Sequence, residues 1–312
     1  MSSINLGNIM KAIRRYIPLV LRLPAFNIEP VMASWAKRIE SYDAIPQVYQ
    51  SSLKTLLGDS QTFLYMVLTP AREKFFHKTT EKLVCDLGDA IYVLERAGKR
   101  VSVRGYRWDS IRDVEVGTVL LYAWITIRGV TTEGESTAST FEFNSASSHY
   151  FTPILNKIRP AARGSDEASL AERAKFDYLT KLNYKFMNYA RKSLVPGEKV
   201  IQTVWQPEIR LQVGPFSPSV TLAHLTILTD KELILIRDDE RWGAYEDVRY
   251  GGIWQYIPLS SIVSASLADQ PDALLTLSIH LSEHDRVERV FEISNKPQLE
   301  RLQSEIEKRL SK

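Results

Sequence analysis

The chain has 312 residues, of which 44% are hydrophobic and 25% are charged, with 14 Gly, 14 Pro and a single Cys. This composition is typical of a soluble globular protein of about two domains, and it excludes collagen-like, disordered and disulfide-stapled classes. The formal net charge of +3 predicts no nucleic-acid partner. No apolar run approaches the ~18–20 residues of a membrane-spanning helix. Because one cysteine cannot build a disulfide framework, we expect a cytoplasmic protein.

The positive charge is concentrated at the N-terminus. Residues 1–38 hold six basic side chains and one acidic side chain, a net charge of +5, which leaves −2 for the remainder. Apolar residues recur at helical spacing in this segment, so we expect a basic helical arm over residues 1–44. Three roles stay open for the arm: packing on the first domain, lying in a membrane interface, or docking on a partner protein. Its candidate anion or lipid contacts are Lys11, Arg14, Arg15 and Arg22.

An internal repeat follows the arm. Its first copy opens with a helix that ends at Gly58 and a strand that stops before Pro70. Two hairpins with a short strand between them come next, and an amphipathic helix closes the copy. The predicted ranges are 47–57, 62–69, 82–86 with 90–95, 108–111, 123–128 with 139–143, and 149–158.

The second copy repeats this order and is lengthened by one insertion. The insertion, residues 241–254, has the composition of a loop or a protruding hairpin. The other predicted ranges are 184–195, 199–206, 225–228 with 232–237, 259–262, 274–281 with 287–293, and 297–310. Between the copies, residues 165–186 predict one continuous linker helix. The chain therefore divides into an arm (1–44), a first domain (45–160), a helical linker (161–183) and a second domain (184–312).

Each copy is a series of short strands closed by one helix. With phrases such as Glu81-Lys82-Leu83-Val84 and Trp108-Asp109-Ser110-Ile111, this order resembles the bacterial pleckstrin-homology-like (PH-like) domains and their GRAM-type relatives. The resemblance covers residues 45–160 and 183–312. It implies an α+β, β-rich fold with two PH-like, partly open β-barrels, each closed by a C-terminal helix, in addition to N-terminal and linker helices.

The resemblance also implies a type of site. Members of this superfamily are mostly recognition modules for phosphoinositides, other anionic lipids, peptides or proteins, and lipid-binding members use basic residues around the loop between the first two strands. In the first copy this loop holds candidate anion or lipid contacts and candidate apolar contacts, namely Arg72, Lys74 and Lys78, and Phe75 and Phe76. The matching loop of the second copy departs from the pattern, with Arg210 as its only base. Trp242 and Tyr245 in the insertion are further candidate apolar contacts.

Catalytic and metal-binding patterns are absent from the sequence. One Cys and five His cannot supply the usual zinc spacings, and no Gly-rich phosphate-binding motif is present, so we expect no metal and no cofactor. Matches to Ser-x-x-Lys at Ser34 and Ser51 lack the companion motifs of acyl-transfer enzymes. Cys85 alternates with Leu83, which predicts a buried side chain. The acidic run 238–240 is typical of a solvated hairpin tip.

These observations favour a non-enzymatic, cytoplasmic binding or scaffold protein that presents two PH-like domains to a protein or ligand partner. One alternative is a peripheral membrane protein that binds anionic lipid through the arm and the basic loop of the first domain. Another is an enzyme with a pocket between the domains, against which the absence of any acid, base or metal cluster counts. A homo-oligomer formed through unpaired sheet edges stays open.

Overall fold

The structure is a computed structural model, and it describes residues 35–58, 65–74, 77–98, 100–160, 170–210, 219–239 and 251–311. The chain has an α+β fold that is rich in antiparallel sheet. Most of the predicted helical arm, residues 1–34, lies outside the described residues. In the rest of the predicted arm, residues 35–44, the structure has a strand over Lys37–Ile39 and a 3-10 turn over Tyr42–Ala44 instead of one continuous helix.

The first unit, residues 37–160, follows the predicted order. Its strands are β1 (Lys37–Ile39), β2 (Tyr65–Thr69), β3 (Arg72–Lys74), β4 (His77–Thr79), β5 (Lys82–Asp86), β6 (Ala90–Ala97), β7 (Arg100–Val119), β8 (Tyr122–Thr131) and β9 (Ser136–Asn144). Its helices are α1 (Gln47–Leu57) and α2 (Thr152–Ile158), and a 3-10 turn over Ser145–Phe151 precedes α2. Both predicted hairpins and the first helix are confirmed. The short strand expected at 108–111 is part of the much longer β7.

The second unit, residues 184–311, follows two short helices, α3 (Leu170–Ala174) and α4 (Leu179–Leu182). Its own helices are α5 (Tyr184–Ser193) and α6 (Lys296–Leu310). Its strands are β10 (Val200–Gln206), β11 (Ile209–Arg210), β12 (Ser219–Thr221), β13 (His224–Thr229), β14 (Glu232–Arg237), β15 (Gly252–Pro258), β16 (Ser264–Gln270), β17 (Leu274–His280) and β18 (Arg286–Glu292). The hairpins are confirmed here too. The strand predicted at 259–262 is wrong, because Leu259–Ser261 form a 3-10 turn.

The continuous linker helix is also wrong. A turn at residues 175–178 separates α3 from α4, and Asn183 separates α4 from α5. The Asn183 side chain accepts a hydrogen bond from the backbone N–H of Phe186 at 3.3 Å, so it caps a new helix instead of continuing the old one. The breaks allow Phe176 and Leu179 to reach the core, where both are fully buried.

The long strand β7 joins the two units. Its first part pairs with β6 from Arg100 to Arg107. Its register with β8 shifts between Tyr106 and Ile111. Its last part pairs with β8 on one side and, over Val114–Thr118, with β15 of the second unit on the other. One sheet of eleven strands therefore crosses both units, in the order β1-β2-β5-β6-β7-β15-β14-β13-β10, with β8 and β9 branching from β7. None of the sheets formed by the described strands closes into a barrel.

The two units have the same order of strand pairing. The first contains the antiparallel run β2-β5-β6-β7, then β7-β8-β9, then α2. The second contains β10-β13-β14-β15, then β16-β17-β18, then α6. The difference is at the centre. One strand, β7, serves both runs of the first unit, whereas the 3-10 turn after β15 separates the two runs of the second.

We call the pairing of β7 over Val114–Thr118 with β15 over Gly252–Tyr256 the seam, and two glycines allow close packing there. A Cβ atom at Gly117 would lie 1.9 Å from the ring of Trp124, and one at Gly251 would lie 2.0 Å from the carbonyl oxygen of Thr118. Gly251 also has a φ of 86°, a conformation that side chains disfavour. A larger residue at position 117 would displace the Trp124 ring, and one at position 251 would push the start of β15 away from β7.

The apolar core continues across the seam. One face of the joined sheet is covered by Phe151 of the 3-10 turn, by Ile154 of α2 and by Phe186 of α5, and these side chains belong to one cluster. A second cluster fills the space between α6 and the sheets of the second unit. A third lies under α1, where Cys85 is fully buried, as predicted. Burial of these side chains is the main force that holds both units together.

Candidate functional site at the seam

The structure covers few of the predicted contact residues. Arg72, Lys74 and Lys78 lie on the β3–β4 hairpin, in which Arg72 pairs with Thr79 and Glu73 with Lys78. The structure describes only the backbone of Arg72, Lys74 and Lys78. The remaining candidates lie outside the described residues: Lys11, Arg14, Arg15, Arg22, Phe75, Phe76, Trp242 and Tyr245.

A polar cluster that the sequence did not predict lies on the other face of the seam. The cross-strand register brings Asp113 opposite Arg128 and Glu115 opposite Gln255. In a β-sheet, residues that are directly opposite share a face, and residues two apart on one strand do so too. Asp113, Glu115, Arg128 and Gln255 are therefore grouped on one surface, and the apolar residues between them, such as Val114, face the core.

Asp113 is the most deeply buried member of this cluster, with no exposed surface. Its Oδ1 atom accepts hydrogen bonds from Arg128 Nη1 at 2.7 Å and from Gln255 Nε2 at 2.9 Å. Its Oδ2 atom has no hydrogen-bond partner among the described atoms. Burial raises the pKa of the Asp113 carboxyl, although Arg128 and Gln255 oppose that shift. Asp113 thus connects the two units through one oxygen atom.

Glu115 has the opposite balance. Burial disfavours its charged form. The Trp124 indole N–H donates to Oε1 at 3.0 Å, and the guanidinium groups of Arg237 and Arg128 lie nearby. Together these groups more than offset the effect of burial, so the pKa of Glu115 is lowered. Arg128 lies 3.5 Å from its Oε2 atom, and so does Arg237 of the second unit. Glu115 stays charged, and it accepts contacts from arginines of both units.

The last sheet of the second unit adds further polar contacts to the seam. Arg289 on β18 donates to Gln255 Oε1 at 3.1 Å, and Arg112 on β7 lies 3.4 Å from Asp285 in the β17–β18 turn. These bonds link β18 and its turn to β7 and β15, strands of the other sheet. The cluster therefore fixes three pieces of chain relative to one another: β7, β15 and the β17–β18 hairpin.

Two polar atoms without a hydrogen-bond partner among the described atoms lie on β13, on the face of the sheet that carries the polar cluster. The His224 Nδ1 atom lies 3.0 Å from the carbonyl oxygen of Leu222, whereas Nε2 has no partner among the described atoms. The ring of Phe291 lies edge-on at 4.7 Å. Burial, with the nearby Arg289 and Arg237, lowers the pKa of His224 to about 4. His224 is therefore neutral near pH 7. The hydroxyl of Thr226 is the other unsatisfied group.

A second charged contact joins the units at the far end of β14. Arg159, the residue after α2, donates through Nε to both carboxylate oxygens of Glu232, at 3.0 and 3.1 Å, and through Nη2 to the carbonyl oxygen of Ser193 at 2.6 Å. The side chains of Arg159 and Glu232 are 11% and 6% exposed. Because both charges are removed from water, each depends on the other for its stability.

A further carboxyl group, that of Glu198, is buried beside this pair. Its Oε1 atom accepts from the Thr229 hydroxyl at 2.6 Å and its Oε2 atom from the backbone N–H of Val195 at 2.9 Å. Burial and the neighbouring Glu232 carboxylate raise the pKa of Glu198 to about 7. Two carboxyl groups and one guanidinium group are thus buried together, and Glu198 carries a proton over part of the physiological pH range.

The seam provides a fixed arrangement of charges. Its carboxylates are bonded to arginines or amides, and within the described ranges no group of three or more His, Cys, Asp or Glu side chains is placed to hold a metal ion. The prediction for the acidic run after β14 is wrong. Asp238 and Asp239 are buried, at 5% and 3% exposure, and Asp238 pairs with Lys185, so they do not form a solvated hairpin tip.

Comparisons with known proteins give no family for this chain. No protein-family model matches it, and no curated protein matches it in sequence.

Proposed function

We propose that the chain is a non-enzymatic binding or scaffold protein that presents two PH-like recognition units to a protein or ligand partner. The repeated order of strand pairing carries this proposal: in each unit a helix precedes a four-stranded antiparallel run, and a three-stranded run and a closing helix follow. That is the order expected from the resemblance to PH-like domains, which are mostly recognition modules.

The seam supports the scaffold role. Pairing of β7 with β15 and the contacts of Gln255 with Asp113 and Arg289 hold the units in one relative orientation. A partner that binds both units meets two surfaces whose spacing is already set. Because less orientational freedom is lost on binding, a fixed pair of surfaces binds more tightly than two flexibly linked ones.

The test measures binding by the full chain. Proximity labelling in the source cell identifies candidate partners, and calorimetry with each purified candidate gives an affinity. We expect Gln255→Leu, which removes bonds across the seam, to weaken binding of a two-unit partner about ten-fold, because it loosens the orientation that favours such binding. Gln298→Leu, an exposed position on α6, is the matched control and should have no effect.

Equal affinities for the two variants would contradict the scaffold role. The non-enzymatic part has a separate test. Conversion of a small molecule by the full chain, at a rate that stays constant through repeated purification, would show that the chain is an enzyme.

A second candidate function is peripheral attachment to an anionic membrane, through the N-terminal basic segment and the first-unit basic loop. The observation that favours it is the β3–β4 hairpin, which places Arg72, Lys74 and Lys78 on two adjacent short strands after β2. The register pairs Arg72 with Thr79 and Lys78 with Glu73, so the hairpin keeps the three basic positions within one short segment of paired backbone.

Co-sedimentation with vesicles tests this second candidate. We expect binding to phosphatidylserine-containing vesicles and not to neutral ones, and we expect it to weaken as salt rises. Removal of residues 1–34, which leaves β1 in place, should reduce it, and so should replacement of Arg72, Lys74 and Lys78 by Glu. The control replaces three basic residues on other exposed surfaces by Glu: Arg107, Arg286 and Arg301. Equal binding to both vesicle types would exclude attachment through these basic residues.

A further inference from the structure

One end of the seam carries exposed apolar side chains from both halves of the chain. In the turn between β7 and β8, Leu120 is 55% exposed and Leu121 is 53% exposed. At the corner between α4 and α5, Leu182 is 60% exposed and Tyr184 is 63% exposed. Large apolar side chains grouped on one surface are a mark of an interaction site, because the fold itself gains nothing from them.

Contacts within the fold place the turn and the helix corner at the same end. Gly252, the first residue of β15, pairs with Thr118, two residues before Leu120. A Cβ atom on Gly252 would lie 2.7 Å from the ring of Tyr189 on α5, so this helix crosses β15 at that point. Nearer the start of α5, Lys185 pairs with Asp238, which directly follows β14. The turn and the helix corner therefore flank the same ends of β7, β15 and β14.

The leucine turn is held by hydrogen bonds, and its backbone is strained at Leu120. Leu120 has a φ of 54°, in the left-handed region that favours glycine or asparagine. Ser145 holds the turn in place: its hydroxyl donates to the carbonyl oxygen of Leu120 at 2.8 Å, and its N–H donates to that of Leu121 at 3.1 Å. A turn built for glycine that carries two exposed leucines points to a use for these side chains outside the fold.

The basic N-terminal segment joins the fold near this turn. The backbone N–H of Ala36 donates to the hydroxyl of Ser147 at 3.0 Å, two residues along the chain from Ser145. The neighbouring Trp35 is 38% exposed. Lys37 and Arg38, which follow Ala36, are exposed, and so is Lys181 beside Leu182. Among the described residues, exposed basic and apolar side chains thus lie at one end of the molecule.

We propose that this end is a membrane-contact surface, in which Leu120, Leu121, Leu182 and Tyr184 enter the interface of an anionic bilayer. The proposal rests on the second candidate function, and it adds a contact on the seam that is separate from the basic hairpin. A bilayer fits the observations better than a protein groove does. The apolar side chains come from separate elements, which a fluid interface accommodates, and basic and aromatic residues that accompany them are favoured at an anionic membrane surface.

Flotation of the full chain with vesicles of phosphatidylcholine and phosphatidylserine tests the proposal. We expect Leu120→Ser with Leu121→Ser to lower the partition coefficient about ten-fold or more, because two leucines no longer leave water. The matched control is Val263→Ser with Ile293→Ser, which removes two apolar side chains of 65% and 41% exposure. Val263 follows the opposite end of β15, so the control should bind like the unmodified chain.

A fluorescent label gives a second measurement that does not depend on weakened binding. The sole cysteine, Cys85, is buried, so Leu121→Cys and Val263→Cys can each be labelled with an environment-sensitive dye. On addition of anionic vesicles, the dye at position 121 should shift to the blue and be quenched by spin-labelled lipid, and the dye at 263 should not.

The outcomes separate this proposal from the functions above. Vesicle binding that is unchanged by the two serine substitutions, or a dye at 121 that stays in water, overturns the seam contact and leaves the basic hairpin as the membrane site. No vesicle binding at all overturns both membrane proposals and leaves the scaffold role. Loss of binding by the serine variant to a purified protein, and not to vesicles, assigns the same surface to a protein partner and also overturns the proposal.

Discussion

The guanidinium carbon of Arg159 lies 3.5 Å from the centre of the Tyr256 ring. Arg159 closes the first unit, and Tyr256 belongs to β15 of the second. The same guanidinium group is bonded to Glu232, so it has an ion pair and an aromatic face at once. One side chain thereby connects the end of the first unit to two strands of the second, by a contact that Lys cannot reproduce.

Arg159→Ala should destabilise the chain strongly. The substitution leaves the Glu232 carboxylate buried without its partner, and breaking a buried pair in this way costs ~3–5 kcal/mol. Urea unfolding measures the change. Arg286→Ala, which breaks an exposed pair with Glu288, is the control and should change the free energy of unfolding by less than ~1 kcal/mol. Similar effects of the two substitutions would contradict the structural role of Arg159.

The raised pKa of Glu198 predicts a pH dependence with a definite sign. Its carboxyl group has a pKa of about 7 in the folded chain, above the ordinary value of 4.5. The folded state therefore binds this proton more tightly, and its stabilising effect is lost as pH rises from the unfolded value through the folded one. We expect the free energy of unfolding to contain a contribution that falls over that range, and Glu198→Gln to remove it.

Urea unfolding from about pH 5 to about pH 8 checks this expectation. His224 acts in the other direction. Because its pKa is lowered from 6.5 to about 4, its contribution to stability is lost as pH falls below 6.5. The difference between the unmodified chain and Glu198→Gln cancels the His224 contribution and isolates Glu198. A difference that does not vary with pH would contradict the raised pKa.

Gly117→Ala should disturb the seam. The added methyl group would lie 1.9 Å from Trp124, so the indole must move and its bond to Glu115 must lengthen. Overpacking of this kind costs roughly 1–3 kcal/mol, and the tryptophan fluorescence should change with it. Gly98→Ala serves as the comparison. Gly98 has a φ of 67° and no atom within 4 Å of the added Cβ, so it should lose some stability to backbone strain without the change in fluorescence.

Cys85 should be unreactive in the folded chain. It is fully buried under α1, and burial raises the pKa of its thiol, so little of the reactive thiolate forms. A thiol reagent should modify it at a rate that follows unfolding, fast in urea and slow in buffer. Rapid modification of the native chain would place Cys85 at the surface and contradict the packing of α1.

Local elements were predictable from the sequence, and the seam was not. The hairpin β13–β14 and the helix Gln47–Leu57 follow from apolar periodicity and from Gly58, all within a few residues. Pairing of β7 with β15 joins residues far apart in sequence, and no local pattern specifies it. A weak signal does exist. Asp113, Glu115 and Gly117 alternate with Val114 and Val116, which indicates a strand with one polar face.

The prediction of one continuous linker helix was wrong for a related reason. Its apolar residues have nearly helical spacing, which favours one continuous helix, but Phe176 and Leu179 must reach a core to which distant strands contribute. Breaking the helix at the turn and at Asn183 satisfies that packing. Similarly, the acidic run after β14 is typical of a surface turn, and only the position of Lys185 on α5 explains why Asp238 is buried. Packing between distant segments overrides local preference at both places.

The shared strand β7 has a consequence during synthesis. Its last part pairs with β8 as soon as the first unit is made, but its other edge stays open until the ribosome has produced β15. For that interval the nascent chain presents an unpaired strand edge that ends in two leucines, an arrangement that favours association with neighbouring chains. A fragment that stops at residue 160 would keep this edge permanently and should aggregate, whereas the full chain covers it.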